Sequence, residues 1–217
     1  MGQLTFKFPF KTNYFKKDFY VSSNNFAAYE LIESSPNWPD KWINIYGPAG
    51  CGKTHLSNIL KKKINTILIS AEAVTNEQIE RIGKHQCIII DNYKNNISEN
   101  LLYSLLNHFK QLDNQIVINT LIPLRQFSIK LPDLKSRFEL FIELGIDLPT
   151  DNLLKVIISK TFSDKQINLN PRLLDFILKN IDRSYDKVFK FIKDLDTESL
   201  SAGKSININL IKKVLNK

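Results

Sequence analysis

Between an apolar pentapeptide, Trp42-Ile43-Asn44-Ile45-Tyr46, and an amphipathic run over 54–62 lies the octapeptide Gly47-Pro48-Ala49-Gly50-Cys51-Gly52-Lys53-Thr54, of the form G-x-x-x-x-G-K-[ST]. No other stretch restricts the fold so tightly. Glycines tolerate left-handed torsions and carry no Cβ, so a backbone rich in them can wrap closely round an anion. The loop's N–H groups converge as a nest for oxygens. The helix beginning near Lys53 turns its positive dipole end to the same point. Lys53 then places charge on the outer phosphates of a nucleotide, and the Thr54 hydroxyl can ligate Mg²⁺. A glycine-rich turn that binds nothing is the plain alternative. The strand before and the helix after are the context that phosphate binding requires.

Strand and helix signals alternate from there. Residues 64–70 form a short apolar strand, 76–84 a helix, and 87–91 an all-apolar strand ending in an acid. Residues 98–111 form a helix with Leu101, Leu102, Leu105, Leu106 and Phe109 on one side, and 116–119 another buried strand. Apolar strands without alternation, joined through helices, predict an α/β fold with a parallel sheet covered on both faces. Upstream, a helix starts near Ser23 or Asn24, and Pro36 and Pro39 break the chain before the first strand. Beyond Thr150 only helices are predicted, over 151–162, 171–179, 184–200 and 209–215, with Asn170-Pro171 as cap and first helical residue. The expected division is an N-terminal arm over 1–17, basic and rich in phenylalanine, a core over 18–149, and a small helical lid over 150–217.

The 217 residues are 43% hydrophobic without a membrane-length apolar run or a signal-peptide pattern. Two cysteines, Cys51 and Cys87, make no disulfide framework, so a reducing, cytoplasmic setting is expected. The net charge of +8 would attract nucleic acid. The lysines are spread along the chain, however, and Lys61-Lys62-Lys63 sits at a helix end, where cations are favoured in any case. A generally lysine-rich surface is therefore the preferred reading over a dedicated nucleic-acid patch.

Asp91, at the C-terminal end of the strand over 87–91, is the expected partner of the phosphate loop, where it can hold Mg²⁺ through water. An Asp that merely caps a loop is the alternative. Many nucleotide hydrolases place a second acid next; here Asn92 follows, whose amide can orient water without taking its proton. Slow intrinsic hydrolysis, or hydrolysis that depends on groups from another chain, is expected. Leu131-Pro132-Asp133-Leu134-Lys135-Ser136-Arg137-Phe138 reads as an exposed turn beside the last core strand, from which Arg137 could reach a neighbouring subunit's γ-phosphate or pair with Asp133. His55, His85 and His108 have no metal-ligand spacing.

Together, the phosphate loop, Asp91, the Leu-x-Ser-Arg-Phe segment and the helical C-terminal region resemble AAA+ ATPases of the DnaA type, and the Hda branch in particular. The resemblance implies a P-loop AAA+ parallel-sheet core with a helical lid, binding ATP or ADP with Mg²⁺. Asp18-Phe19 and Ser23-Asn24-Asn25-Phe26-Ala27-Ala28 resemble the leading segment that frames adenine. The loop from Gly47 to Thr54 with His55 resembles the family's phosphate site, and Asn119 or Thr120 its phosphate sensor. Arg137 resembles the arginine finger, and Arg183 or Lys187 occupies the region of the lid sensor. Gln3, Leu4, Phe6 and Phe8 resemble the short motif that docks on the DNA sliding clamp (β subunit), with phenylalanines in place of the leucines common in relatives. A chain that ends after the lid, without the helix-turn-helix domain of DnaA, is also what the Hda branch implies. The expected partners are the clamp, DnaA, DNA reached mainly through the clamp, and a homodimer, with no membrane. The expected role is repression of replication initiation by promoting hydrolysis of DnaA-bound ATP, with little turnover of its own. A free-standing ATPase or kinase, and a helicase-loader-type ATPase acting directly on DNA, are the competing readings.

Overall fold

The computed structural model describes residues 16–77, 85–167, 169–202 and 205–216. They divide after Asp147 into two compact units.

The first unit contains α1 (Phe26–Ser34), β1 (Trp42–Tyr46), α2 (Lys53–Lys61), β2 (Thr66–Ser70), β3 (Cys87–Tyr93), α3 (Glu99–Gln111), β4 (Gln115–Thr120), α4 (Pro132–Phe138) and β5 (Ile142–Gly145). The strands form one parallel sheet in the order β2-β3-β4-β1-β5. Register stacks apolar residues across it: Ile43 lies opposite Val117 and Ile142, and Ile88 opposite Ile67 and Ile116. Cys87, Ile88, Ile89 and Ile90 are fully buried, as are Ile116, Val117 and Ile118. Such strands suit the middle of a sheet with helices on both faces. Phe109, Phe138, Phe141 and Tyr93 fill one side, with Phe138 and Phe141 edge-to-face at 6.3 Å.

Asn44 is the polar residue inside β1. Its Nδ2 donates to Ile118 O and Thr120 Oγ1, both at 2.9 Å, and its Oδ1 accepts from Leu124 N at 3.0 Å. The buried amide is thus fully used, tying β1 to β4 and to the loop that follows.

Two features differ from the expectation. Residues 132–138 are the helix α4 rather than an exposed turn. Pro132 starts it, and Leu134 and Phe138, four apart, are buried beneath it. Beyond it, Ile142-Glu143-Leu144-Gly145 adds the edge strand β5, which the sequence reading missed because a half-buried edge of four residues, one charged and one glycine, has no apolar run. The helix expected over 76–84 lies mostly outside the described residues, and the arm carrying Gln3, Leu4, Phe6 and Phe8 lies wholly outside them.

The second unit packs α5 (Asp151–Asp164), α6 (Pro171–Asn180), α7 (Tyr185–Ala202) and α8 (Ile208–Leu215) round Leu154, Ile158, Phe162, Ile177, Leu195 and Ile211. Side-chain caps start three of them: Thr150 accepts from Leu153 N, Asn170 from Arg172 N and Asn207 from Leu210 N. Among the described residues no helix is long and apolar enough to cross a membrane.

Candidate functional site

The carboxyl edge of the sheet brings together the ends of β1, β3 and β4, as open α/β sheets do at their ligand sites. After β1, Gly47 N donates to Thr120 O at 3.3 Å, and the loop turns into α2. Gly47 has φ +152°, and a Cβ there would run into the Ile146 carbonyl. Gly52, the left-handed residue preceding α2, has φ +101°, and a Cβ would stand 2.8 Å from the Phe19 ring. Both positions require glycine.

Lys53 is buried at 8% exposure. Its ammonium donates to Gly47 O at 2.7 Å and Pro48 O at 2.9 Å, with Cys51 Sγ at 3.6 Å. Among the described residues no carboxylate pairs with it. A buried cation held only by neutral dipoles leaves its charge uncompensated, and an anion is the natural counterpart. Cys51 itself is buried, which pushes its thiol up in spite of the opposing Lys53 charge.

Thr54 Oγ1 donates to Asp91 Oδ2 at 2.8 Å. Asp91 Oδ1 accepts from Asn119 Nδ2 at 2.9 Å and from Asn92 N at 3.1 Å. Asn119, fully buried, uses its second N–H on Ser57 Oγ at 2.8 Å, and Ser57 donates to Lys53 O at 3.1 Å. Three helix residues and two strand ends thus form one hydrogen-bonded chain, Lys53–Ser57–Asn119–Asp91–Thr54. Ser57 is a member that the sequence reading did not single out; a polar residue one turn past Lys53, among buried apolar neighbours, was the available signal. Among the described residues, Asn119 Oδ1 is buried without a partner. Thr120, the alternative sensor, turns its hydroxyl to Ile122 O at 2.6 Å and accepts from Asn44.

Asn92 is exposed at φ 58°, where the strand pairing shifts register, a left-handed position that Asn tolerates. His55 meets Phe19 edge-on at 5.3 Å, and Phe19 stacks on Tyr29 at 5.7 Å, so the chain leading into α1 covers one flank of the loop. The oxygen donors of Thr54 and Asp91 suit a hard divalent cation such as Mg²⁺. Among the described residues no cluster of three His, Cys, Asp or Glu side chains forms a protein-only metal site.

Arg137, half-buried near the end of α4, donates from Nε to Asn107 Oδ1 at 3.0 Å. The expected alternative, a pair with Asp133, gives way to this bond with α3.

Residues 154–215 match the family described as "Hda, lid domain". A chromosomal replication initiator protein DnaA from Buchnera aphidicola subsp. Baizongia pistaciae is 28% identical, over 99% of this chain and 53% of that protein. Domain III of the Thermotoga maritima replication initiation protein DnaA superposes with a TM-score of 0.78 at 22% identity, covering 96% of this chain and 98% of that one. AMPPCP-bound DnaA from Aquifex aeolicus superposes with a TM-score of 0.66 at 21% identity, covering 84% and 64%. The chain has the fold of DnaA domain III, and its C-terminal helices match an Hda lid. It spans about half the length of the curated initiator proteins it matches.

Within the second unit, Arg183 and Lys187 each have an acidic partner. Arg183 forks onto Asp151, Nε to Oδ1 at 2.6 Å and Nη2 to Oδ2 at 3.0 Å, which holds the Asp151 carboxyl below the usual carboxylate range. Lys187 pairs with Asp182. All four side chains are well exposed, so neither pair holds its cation firmly.

Proposed function

We propose that this chain is a nucleotide-holding regulator of replication initiation, which binds adenine nucleotide and acts on ATP bound by DnaA. The observation that carries the first part is the Lys53 ammonium, buried with neutral partners only among the described residues. A phosphate tail supplies the missing charge, and the loop N–H groups and the start of α2 favour the same anion. Thr54 and Asp91 would hold Mg²⁺, which neutralises charge between phosphate oxygens. Phe19, Tyr29 and His55 lie where an adjoining base would find aromatic surface. The bound nucleotide analogue and the initiator role belong to the relatives; this chain's Hda-type lid and DnaA-like fold support carrying them over.

Arg137 is the finger in this reading, offered in trans to a γ-phosphate in DnaA. Arginine in that role accelerates phosphoryl transfer by about 10³–10⁵-fold in other systems. With Asn92 in place of a second acid, its own hydrolysis is slow. The division into arm 1–17, core 18–149 and lid 150–217 belongs to the same proposal, as does docking of Gln3, Leu4, Phe6 and Phe8 on the sliding clamp.

Calorimetry with ADP and ATP in Mg²⁺ tests the site. Uptake by wild type and loss of about 100-fold or more in affinity for Lys53→Ala is the expected result, since a buried charge-assisted contact disappears; absence of uptake by folded wild type overturns it. ATP turnover by DnaA, measured with wild type and Arg137→Ala in the presence of DNA-loaded clamp, tests the action. Equal stimulation by both proteins removes the finger. Retention of a Gln3→Ala/Phe6→Ala variant on immobilised clamp at wild-type levels removes the docking. Tight, salt-sensitive binding to naked DNA would favour the direct DNA-acting ATPase instead.

A further inference from the structure

Three residues on one face of α3, each four apart, hold the segment that carries Arg137. Glu99 accepts from Lys130 N at 3.1 Å and Leu131 N at 2.6 Å, fixing the chain just before α4. Asn107 accepts from Arg137 Nε at 3.0 Å. Between them the Tyr103 ring lies beneath the guanidinium, 6.0 Å from ring centroid to Cζ. Spacing of i, i+4, i+8 lines side chains along a helix, so this is one stripe, and it grips α4 ahead of its start and again near its end.

We infer that Tyr103 and Asn107 are positioning residues that preset the Arg137 guanidinium for a neighbour's phosphate, with Glu99 fixing the segment beneath it. This deepens the finger reading above and rests on it. The chemistry is in which donor is used. Guanidinium has one Nε–H and two terminal NH₂ groups, and the terminal edge is well suited to gripping two oxygens of a phosphate. Asn107 takes the Nε–H, and the aromatic face takes one side of the plane. Neither terminal NH₂ group is engaged among the described residues. A free arginine loses much rotamer freedom when it meets its target; here most of that order is in place beforehand, and electrostatic help from a preset group needs little reorganisation in the transition state. A carboxylate in place of Asn107 would also hold Nε, whereas an alanine would release it.

Two measurements test this. In side-chain ¹⁵N spectra of the whole chain, the Arg137 Nε–H is expected to exchange slowly in wild type and rapidly in Asn107→Ala. Equal exchange rates would overturn the positioning, whatever the partner. In the DnaA turnover assay, Asn107→Ala and Tyr103→Leu are each expected to lower the saturating stimulated rate about tenfold. The half-saturating concentration and the chain's own nucleotide affinity should stay unchanged, and Asn107→Asp should retain most of the rate. The double variant Asn107→Ala/Arg137→Ala is expected to match Arg137→Ala alone, because Asn107 acts only through the guanidinium. A further drop in the double variant, or full activity of Asn107→Ala when Arg137→Ala is inactive, would overturn the inference. Full activity of Arg137→Ala would instead remove the finger reading on which it rests.

Discussion

At the residue scale the site turns on donors. Asn119 spends both N–H bonds on Asp91 and Ser57, so an amide is required and an isosteric acid is not a substitute. Asn119→Asp would set one carboxylate against another in a buried position. A loss of about 2–4 kcal/mol in urea unfolding at neutral pH is expected. Because one of two facing carboxylates has its folded pKa raised, the variant gains stability on acidification through that pKa, and the deficit should shrink by pH 5. Lys53 and Thr54 were legible in the sequence because one motif couples their spacing to their chemistry, and Asp91 because it ends an all-apolar strand. Ser57 and the orientation of Asn119 were not. They depend on how the start of α2 faces the ends of β3 and β4, which is set by sheet register. Tyr103 and Asn107 were hidden for a similar reason: on a helix read for its apolar face, the other face carried no separate signal. Cys87, by contrast, is an ordinary core thiol, pushed up to about 12 by burial.

At the element scale, β1, β3 and β4 were recognisable from apolar runs and their helices from period and caps, because the apolar stretch of each strand is buried. The end of the sheet was less so. β5 and α4 owe their existence to tertiary pairing: Ile43 opposite Ile142 in one case, Phe138 buried beside Tyr93 and Phe141 in the other. Asn44 joins three of these parts. Asn44→Ala would leave Leu124 N and Thr120 without their buried partner, and a cost of about 2–4 kcal/mol is expected. Hydrogen exchange at the Leu124 amide should rise more than exchange in β3, since the amide anchors the loop after β4 while β3 has pairing on both sides. Uniform acceleration across the sheet would mean that the amide stabilises the fold without selectively fixing that loop.

At the scale of the whole molecule, a chain of net charge +8 makes each partly buried carboxylate count. Glu33 accepts a hydrogen bond from Lys16 at 2.6 Å, with Lys63 3.6 Å away. The Lys16 bond, and then the Lys63 charge, hold the Glu33 carboxyl below its ordinary 4.5 in spite of burial. The unfolded chain therefore binds the proton first as pH falls. The stabilisation is complete above about pH 5 and is lost as pH drops through the folded value. Urea midpoints measured from pH 6 to 3 should fall more steeply for wild type than for Glu33→Gln; parallel curves would show that this pair contributes nothing.

The same leading stretch of chain carries Phe19, whose ring occupies the space that a side chain at Gly52 would need. That ring lies directly against the loop at its left-handed glycine. Thermodynamic reciprocity then sets a constraint: if the loop takes the proposed phosphate, any binder that shifts Phe19 and changes that affinity by some factor must find its own affinity changed by the same factor when the phosphate is bound.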